Sequence, residues 1–182
     1  METAWYFRLF WLNISWFIIS WLLFYIIKAK RMSGPGPSRP LVLAYWASFV
    51  TGWVLTWFVH FSLNLAFWTG IGIIIFGQVV FALGYLAMRE HPEKKQAVVD
   101  WGIYRFSRHS HVLAGTICLL GVIVAGWSPQ STVYIILWVY FVAQLILTHF
   151  GVVNEEKSNI ARFGQDYVAY MKRVPRYFLI KD

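Results

Sequence analysis

The chain has 182 residues, of which 59% are hydrophobic, 20% are aromatic and only 13% are charged. Soluble domains usually carry about 25% charged residues, so this composition excludes an ordinary soluble domain. The net charge of +8 does not indicate nucleic-acid binding, because the basic residues flank apolar blocks, as membrane topology signals do. A single cysteine, Cys118, excludes a disulfide framework and a CxxC redox pair.

Long apolar blocks predict an all-α, polytopic membrane protein with about five transmembrane helices and a C-terminal cytosolic amphipathic helix. We expect one integral-membrane domain over residues 1–182. The predicted spans are residues 5–27, 41–63, 68–88, 112–127 and 132–153.

Glycines and prolines occur at informative positions within and between the apolar blocks. Residues 28–40 combine four basic residues with several Gly and Pro, which predicts a loop. The third span carries four glycines that predict a thin face suited to close helix packing, namely Gly70, Gly72, Gly77 and Gly84. The short stretch Ser128–Ser131 predicts the turn of a helical hairpin between the last two spans.

The basic residues also predict orientation. They cluster after the first span, after the third span and in the C-terminal tail, and the other two turns have none. By the positive-inside rule, the N-terminus lies outside and the C-terminus in the cytoplasm. A bacterial or archaeal inner membrane is the expected location.

Beyond the last span, Asn154 is predicted to cap a terminal helix that begins with Glu155 and Glu156. Gly164 is expected to weaken this helix slightly, and Pro175 to end it. Four residues at helical spacing predict one apolar stripe, namely Ile160, Phe163, Tyr167 and Tyr170.

Candidate ligand-binding side chains are concentrated in the stretch GIYRFSRHSHVLAG, residues 102–115. Its arginines, Arg105 and Arg108, offer planar donors for a carboxylate or phosphate. His109 and His111 can donate or accept protons near neutral pH. Several aromatic faces can attract a sulfonium or quaternary ammonium group, namely Trp101, Tyr104, Phe106, Tyr167, Tyr170 and Tyr177.

Glu155 and Glu156 can accept hydrogen bonds from an ammonium group or a ribose hydroxyl. Each of these residues also has a structural reading, since the arginines can enforce topology and the glutamates can favour a helix N-terminus. The His-x-His pair with a carboxylate could bind a metal. The five scattered histidines do not form repeated histidine boxes, so we expect no metal.

Two segments together resemble a known family. The first is Gly-Ile-Tyr-Arg-Phe-Ser-Arg-His at 102–109. The second begins at Glu155-Glu156 and continues through Phe163-Gly164, Tyr167, Tyr170 and Val174-Pro175-Arg176. Separated by a short helical hairpin, they resemble the membrane methyltransferase superfamily, which includes isoprenylcysteine carboxyl methyltransferases and phospholipid N-methyltransferases. The resemblance covers about residues 98–178.

This resemblance implies S-adenosylmethionine as the methyl donor, held on the cytosolic side by segments 98–111 and 154–178. The acceptor it implies is a lipid or lipidated molecule, such as a phospholipid amine or a prenylcysteine-like carboxylate. The implied donor-site residues are Gly102, Tyr104, Arg108, His109, Glu155 and Glu156. Among these, Arg108 and Glu156 are the implied catalytic residues.

The chain departs from the family pattern Arg-His-Pro-x-Tyr at two positions, where Ser110 replaces the proline and Val112 the tyrosine. We expect Ser110 to cap the start of the fourth span. Two other functions remain open. One is a membrane reductase of the sterol-reductase type with a nicotinamide cofactor, and the other is a non-enzymatic membrane protein on the same scaffold.

Overall fold

The computed structural model describes residues 5–29, 39–89 and 98–178, which form six α-helices and no β-sheet. The helices are α1 (Leu9–Ile26), α2 (Arg39–Trp57), α3 (Leu65–Arg89), α4 (Ser110–Ala125), α5 (Thr132–Phe163) and α6 (Gln165–Arg173). The predicted all-α fold is therefore confirmed. Most of the predicted loop at 28–40 lies outside the described residues.

Three helices, α1, α3 and α5, are long and apolar enough to cross a membrane. They fall on the first, third and fifth predicted spans. The second predicted span, 41–63, overlaps α2, which has 19 residues and ends earlier than predicted. The fourth overlaps α4, which is apolar but has only 16 residues. These features identify an integral membrane protein.

Helices α3 and α4 make the closest packing in the bundle. Gly77 lies against α4, where an added Cβ would come within 3.0 Å of the Ala114 carbonyl oxygen. Gly70 and Gly121 likewise face each other across this interface. Three of the four predicted glycines face α4 in this way. Gly72 is the exception, because an added Cβ there would meet open space.

The region after the fifth predicted span differs from the prediction. Asn154 does not cap a new helix, because α5 continues without interruption from Thr132 to Phe163. Its 32 residues span about 48 Å, which exceeds the roughly 30 Å of bilayer hydrocarbon, so the part beyond residue 153 extends past the membrane. Gly164 does more than weaken the helix. It adopts φ +58° and separates α5 from α6.

Two segments meet at the end of the bundle where α3 ends and α4 begins, which we call the mouth end. The mouth loop, residues 98–109, precedes α4. The terminal segment, residues 164–178, comprises α6 and the extended tail that follows it. The mouth loop holds most of the first predicted donor-site segment, 98–111. The second, 154–178, is divided between the end of α5 and the terminal segment.

Candidate functional site

Direct hydrogen bonds join the mouth loop to the terminal segment. The Tyr170 hydroxyl donates to the Tyr104 carbonyl oxygen at 2.8 Å, and the Ser107 hydroxyl donates to the Arg176 carbonyl oxygen at 3.0 Å. Tyr104, Ser107 and Tyr170 are all buried. The structure therefore brings together the two segments that the sequence placed at one site.

Arg108 is the centre of this junction. Its Nε and Nη2 each lie 3.0 Å from Glu156 Oε1, and the two side chains are only 1% and 4% exposed. Its Nη1 donates to the carbonyl oxygens of Met171 and Val174, at 2.7 Å each. One guanidinium thus connects the mouth loop to α5 and to the terminal segment.

Glu156 accepts from two further groups. Arg176 Nη2 lies 2.7 Å from Oε2, and His109 Nε2 lies 3.3 Å from Oε1. Burial alone would raise the pKa of Glu156, but the hydrogen bonds from His109 and Arg176 and the charge of Arg108 outweigh it and hold that pKa well below its usual range. Glu156 is therefore an ionised carboxylate whose oxygens already have protein partners.

His109 lies between two carboxylates. Its Nε2 faces Glu156, its Nδ1 lies 3.5 Å from Glu155 Oε2, and its side chain is 3% exposed. Burial lowers the pKa of His109, but the hydrogen bonds to Glu155 and Glu156 overcome this effect and raise it overall. Since both ring nitrogens face acceptors, the doubly protonated imidazolium is the form that suits this site.

The two adjacent glutamates have different environments, although the sequence treats them as a pair. Consecutive residues on a helix do not face the same side. Glu156 points into the junction, whereas the Glu155 side chain is 59% exposed. Glu155 is therefore the carboxylate of the pair that remains accessible to a ligand.

A cavity of about 780 Å³ opens beside this junction. Its mouth is polar and includes Arg108, His109, Glu155 and Arg162. Its interior runs between the helices and is lined mainly by apolar and aromatic side chains, with uncharged polar groups such as Gln144. Such a cavity suits an amphiphile, with its polar part at the mouth and its apolar part inside.

Sequence reasoning missed two polar residues at the mouth, Asn159 and Arg162. Both line the cavity together with Glu155, and positions 155, 159 and 162 follow the four- and three-residue spacing of one helix face. That spacing, which also lies within the predicted terminal helix, was the available signal. The Arg162 guanidinium lies 4.8 Å from the centroid of the Phe163 ring and forms no salt bridge with another described residue.

Tyr104 and Gly102 shape the mouth loop. Tyr104 lines the cavity, and its hydroxyl lies 2.7 Å from His111 Nδ1. Burial raises the pKa of this phenol, so it remains protonated. Gly102 does not line the cavity. It adopts φ +56°, and an added Cβ would come within 3.0 Å of Ala87 Cβ, so glycine is required for the turn.

The two departures from the family pattern have different structural consequences. Ser110 does not cap α4, because it is the first residue of the helix and His109 occupies the capping position without a side-chain cap bond. Ser110 thus takes the place that a helix-opening proline would occupy. Val112 lines the cavity and contributes an aliphatic surface there. Within the described ranges, no three His, Cys, Asp or Glu side chains are arranged to hold a metal ion.

The fold and site define an all-α integral membrane protein with an amphiphile-shaped cavity at one end. A comparison with protein families matches residues 40–174, well over half of the chain, to the family described as "Protein of unknown function (DUF1295)". The chain belongs to this family. No curated protein and no solved structure matches it.

Proposed function

We propose that this protein is a methyltransferase that moves a methyl group from S-adenosylmethionine to a lipidic acceptor at the mouth end. The observation that carries the proposal is a continuous cavity that joins a charged mouth to an apolar interior. A water-soluble, charged donor and a membrane-borne acceptor need a site of this kind, because each must reach the reaction from a different phase.

The polar side chains at the mouth complement the charges of S-adenosylmethionine. Arg162 offers a guanidinium for the carboxylate, and Glu155 offers an acceptor for the ammonium group or the ribose hydroxyls. Asn159 adds an amide that can donate and accept. Phe163 and Tyr167, whose rings stack with centroids 6.4 Å apart, supply aromatic surface that attracts a sulfonium. When bound, the donor supplies an activated methyl group.

The residues of the chain provide positioning and proton control. Holding two reactants in an attacking geometry can lower a barrier by roughly 7–11 kcal/mol, and the apolar walls exclude water from the reacting groups. An acceptor carboxylate needs no base. An acceptor amine must lose a proton, and the Glu155 carboxylate can accept it.

Arg108 and Glu156, the residues implied as catalytic by the resemblance, take a different part in this proposal. Their charged groups bind each other and the terminal segment. We assign them to positioning, because they fix His109 and the terminal segment at the cavity. The groups that contact the donor are then Glu155, Asn159 and Arg162.

The proposed orientation places the mouth end in the cytoplasm. Basic residues occur in the mouth loop, at the adjoining ends of α3 and α5 and on the terminal segment, namely Arg89, Arg105, Arg108, Lys157, Arg162, Lys172, Arg173 and Arg176. Positive residues favour the cytoplasmic side. The donor is a cytosolic metabolite, so this orientation gives it direct access to Glu155 and Arg162.

Calorimetric titration of the detergent-purified protein with S-adenosylhomocysteine, the demethylated product, tests the donor site. We expect micromolar binding, weakened at least about tenfold in Glu155→Ala by loss of a charge-assisted hydrogen bond. Asp166→Ala is the matched control, because it removes an exposed acid near the site that does not line the cavity. No binding by folded wild-type protein, or binding of a nicotinamide cofactor instead, would contradict the proposal.

A further inference from the structure

The apolar part of the cavity has a measurable depth. Along α4 its lining begins near the mouth at His111 and ends at Leu119. Leu119 lies nine residue steps along α4 from its first residue, Ser110, which corresponds to about 14 Å. The hydrocarbon of a bilayer is about 30 Å thick, so this depth is about half of that thickness.

Four large side chains close the inner end, and we call them the floor: Trp16, Phe81, Leu119 and Phe141. All four line the cavity, and each is at most 9% exposed. The Trp16 ring stacks on Phe81 with centroids 6.4 Å apart, and its Nε1 donates to Asn13 Oδ1 at 2.9 Å. This hydrogen bond fixes the orientation of the indole across the end of the cavity.

Below the floor the bundle is solid. One helical turn further from the mouth, Val122 and Ile123 on α4 and Leu137 on α5 are 0% exposed. They belong to the same packed cluster as the floor residues. These three residues do not line the cavity, so an apolar chain that reaches the floor meets packed side chains along α4 and α5.

The side of the cavity between α2 and α5 is closed by a reciprocal contact. The Tyr45 hydroxyl of α2 packs on Gly151 of α5, and the Tyr140 hydroxyl of α5 packs on Gly52 of α2. The Tyr140 hydroxyl also donates to a backbone carbonyl oxygen of α2 at 3.1 Å. A chain inside the cavity is thus separated from lipid on this side.

We propose that the floor sets the length of the acceptor's apolar chain, and that the site takes an amphiphile with one chain reaching about 14 Å below its reactive group. This inference rests on the proposed function and deepens it by naming the acceptor class. An extended chain advances about 1.2 Å per bond, so the limit corresponds to roughly 12 carbons. The four charged lining residues all lie at the mouth, so the chain is uncharged.

Photocrosslinking in lipid nanodiscs tests this limit without requiring donor or turnover. The probes are N-acetylcysteine thioethers of linear alkyl chains of about 12 and about 18 carbons, each with a diazirine at the chain end, and labelled peptides are mapped by mass spectrometry. In the wild-type protein the shorter probe labels the floor. The longer probe loses floor labelling, because its end cannot be accommodated there.

Trp16→Ala should restore floor labelling by the longer probe, because it opens the inner end of the cavity. Phe141→Leu is a milder second enlargement in case the first variant fails to fold. Trp11→Ala is the control, because it removes a tryptophan from the same helix that does not line the cavity. Equal floor labelling by both probes in wild-type protein would overturn the length limit, as would absence of floor labelling by either probe.

The two proposals can fail separately. Floor labelling with the expected length dependence, in a protein that binds no S-adenosylhomocysteine, would retain the length limit and reject the donor. Binding of S-adenosylhomocysteine without floor labelling would reject the length limit and retain the proposed donor site.

Discussion

Replacing Glu156 by alanine should release the terminal segment from the mouth loop. Glu156 is the shared anion of Arg108, Arg176 and His109, and these cations come from the mouth loop and the tail. Without the carboxylate, the Arg108 side chain, 1% exposed, remains buried without its counter-charge. Breaking one side of a buried ion pair costs about 3–5 kcal/mol. We expect most of that cost to fall on the docking of the terminal segment.

Hydrogen–deuterium exchange of peptides from residues 164–178 measures this docking directly. At about 1.4 kcal/mol per factor of ten, Glu156→Ala should speed exchange roughly a hundredfold or more. Glu155→Ala is the matched control, since its side chain is 59% exposed. An exposed pair contributes about 0–1 kcal/mol, so exchange should change less than about fivefold.

The two variants remove neighbouring glutamates of different burial, and their exchange rates should therefore differ. Equal exchange in the two variants would show that burial of Glu156 does not govern docking. A Glu156→Ala protein with wild-type protection of the terminal segment would contradict the assigned role of the Arg108–Glu156 pair. In both cases, peptides from α3 and α4 serve as the internal reference for an intact bundle.

Three other predictions concern pH and two glycines. Because the folded-state pKa of His109 is raised above 6.5, its stabilisation of the docked terminal segment is fully present below that pH and is lost as pH rises through the folded pKa. Exchange corrected for its intrinsic pH dependence should therefore increase at higher pH, and His109→Gln should remove that increase. Gly102→Ala should cost about 1–2 kcal/mol, because φ is +56°, and should lower the thermal midpoint, whereas Gly72→Ala, with open space around it, should not. Gly151→Ala should cost about 1–3 kcal/mol by overpacking, and adding Tyr45→Phe should recover part of the midpoint, because it removes the colliding hydroxyl.

The sequence predicted the fold class well because apolar block length carries direct information about membrane helices. The positions of α1, α3 and α5 and the turn before α5 all follow from it. The glycines of α3 also correctly indicated a close helix contact, which α4 makes. Helix ends were harder to predict. The second span was predicted to reach residue 63 because the sequence stays largely apolar, but α2 ends at Trp57.

The details of the site depended on tertiary contacts that no local pattern encodes. Asn154 is a good capping residue, yet α5 passes through it and continues to Phe163. The different burial of Glu155 and Glu156 follows from where Arg108 and Arg176 lie, which sequence spacing could not reveal. Gly164 ends α5 because it adopts a positive φ, a conformation that favours glycine.

Transfer of a labelled methyl group from S-adenosylmethionine into the lipid phase tests the proposed methyltransferase activity directly. The assay uses the purified protein with a total lipid extract and measures label after organic extraction. We predict time-dependent incorporation by wild-type protein, a large loss in Glu155→Ala, and retained incorporation in Asp166→Ala. Absence of incorporation by a folded protein that has been supplied with the lipid extract and S-adenosylmethionine would contradict the proposed methyltransferase activity.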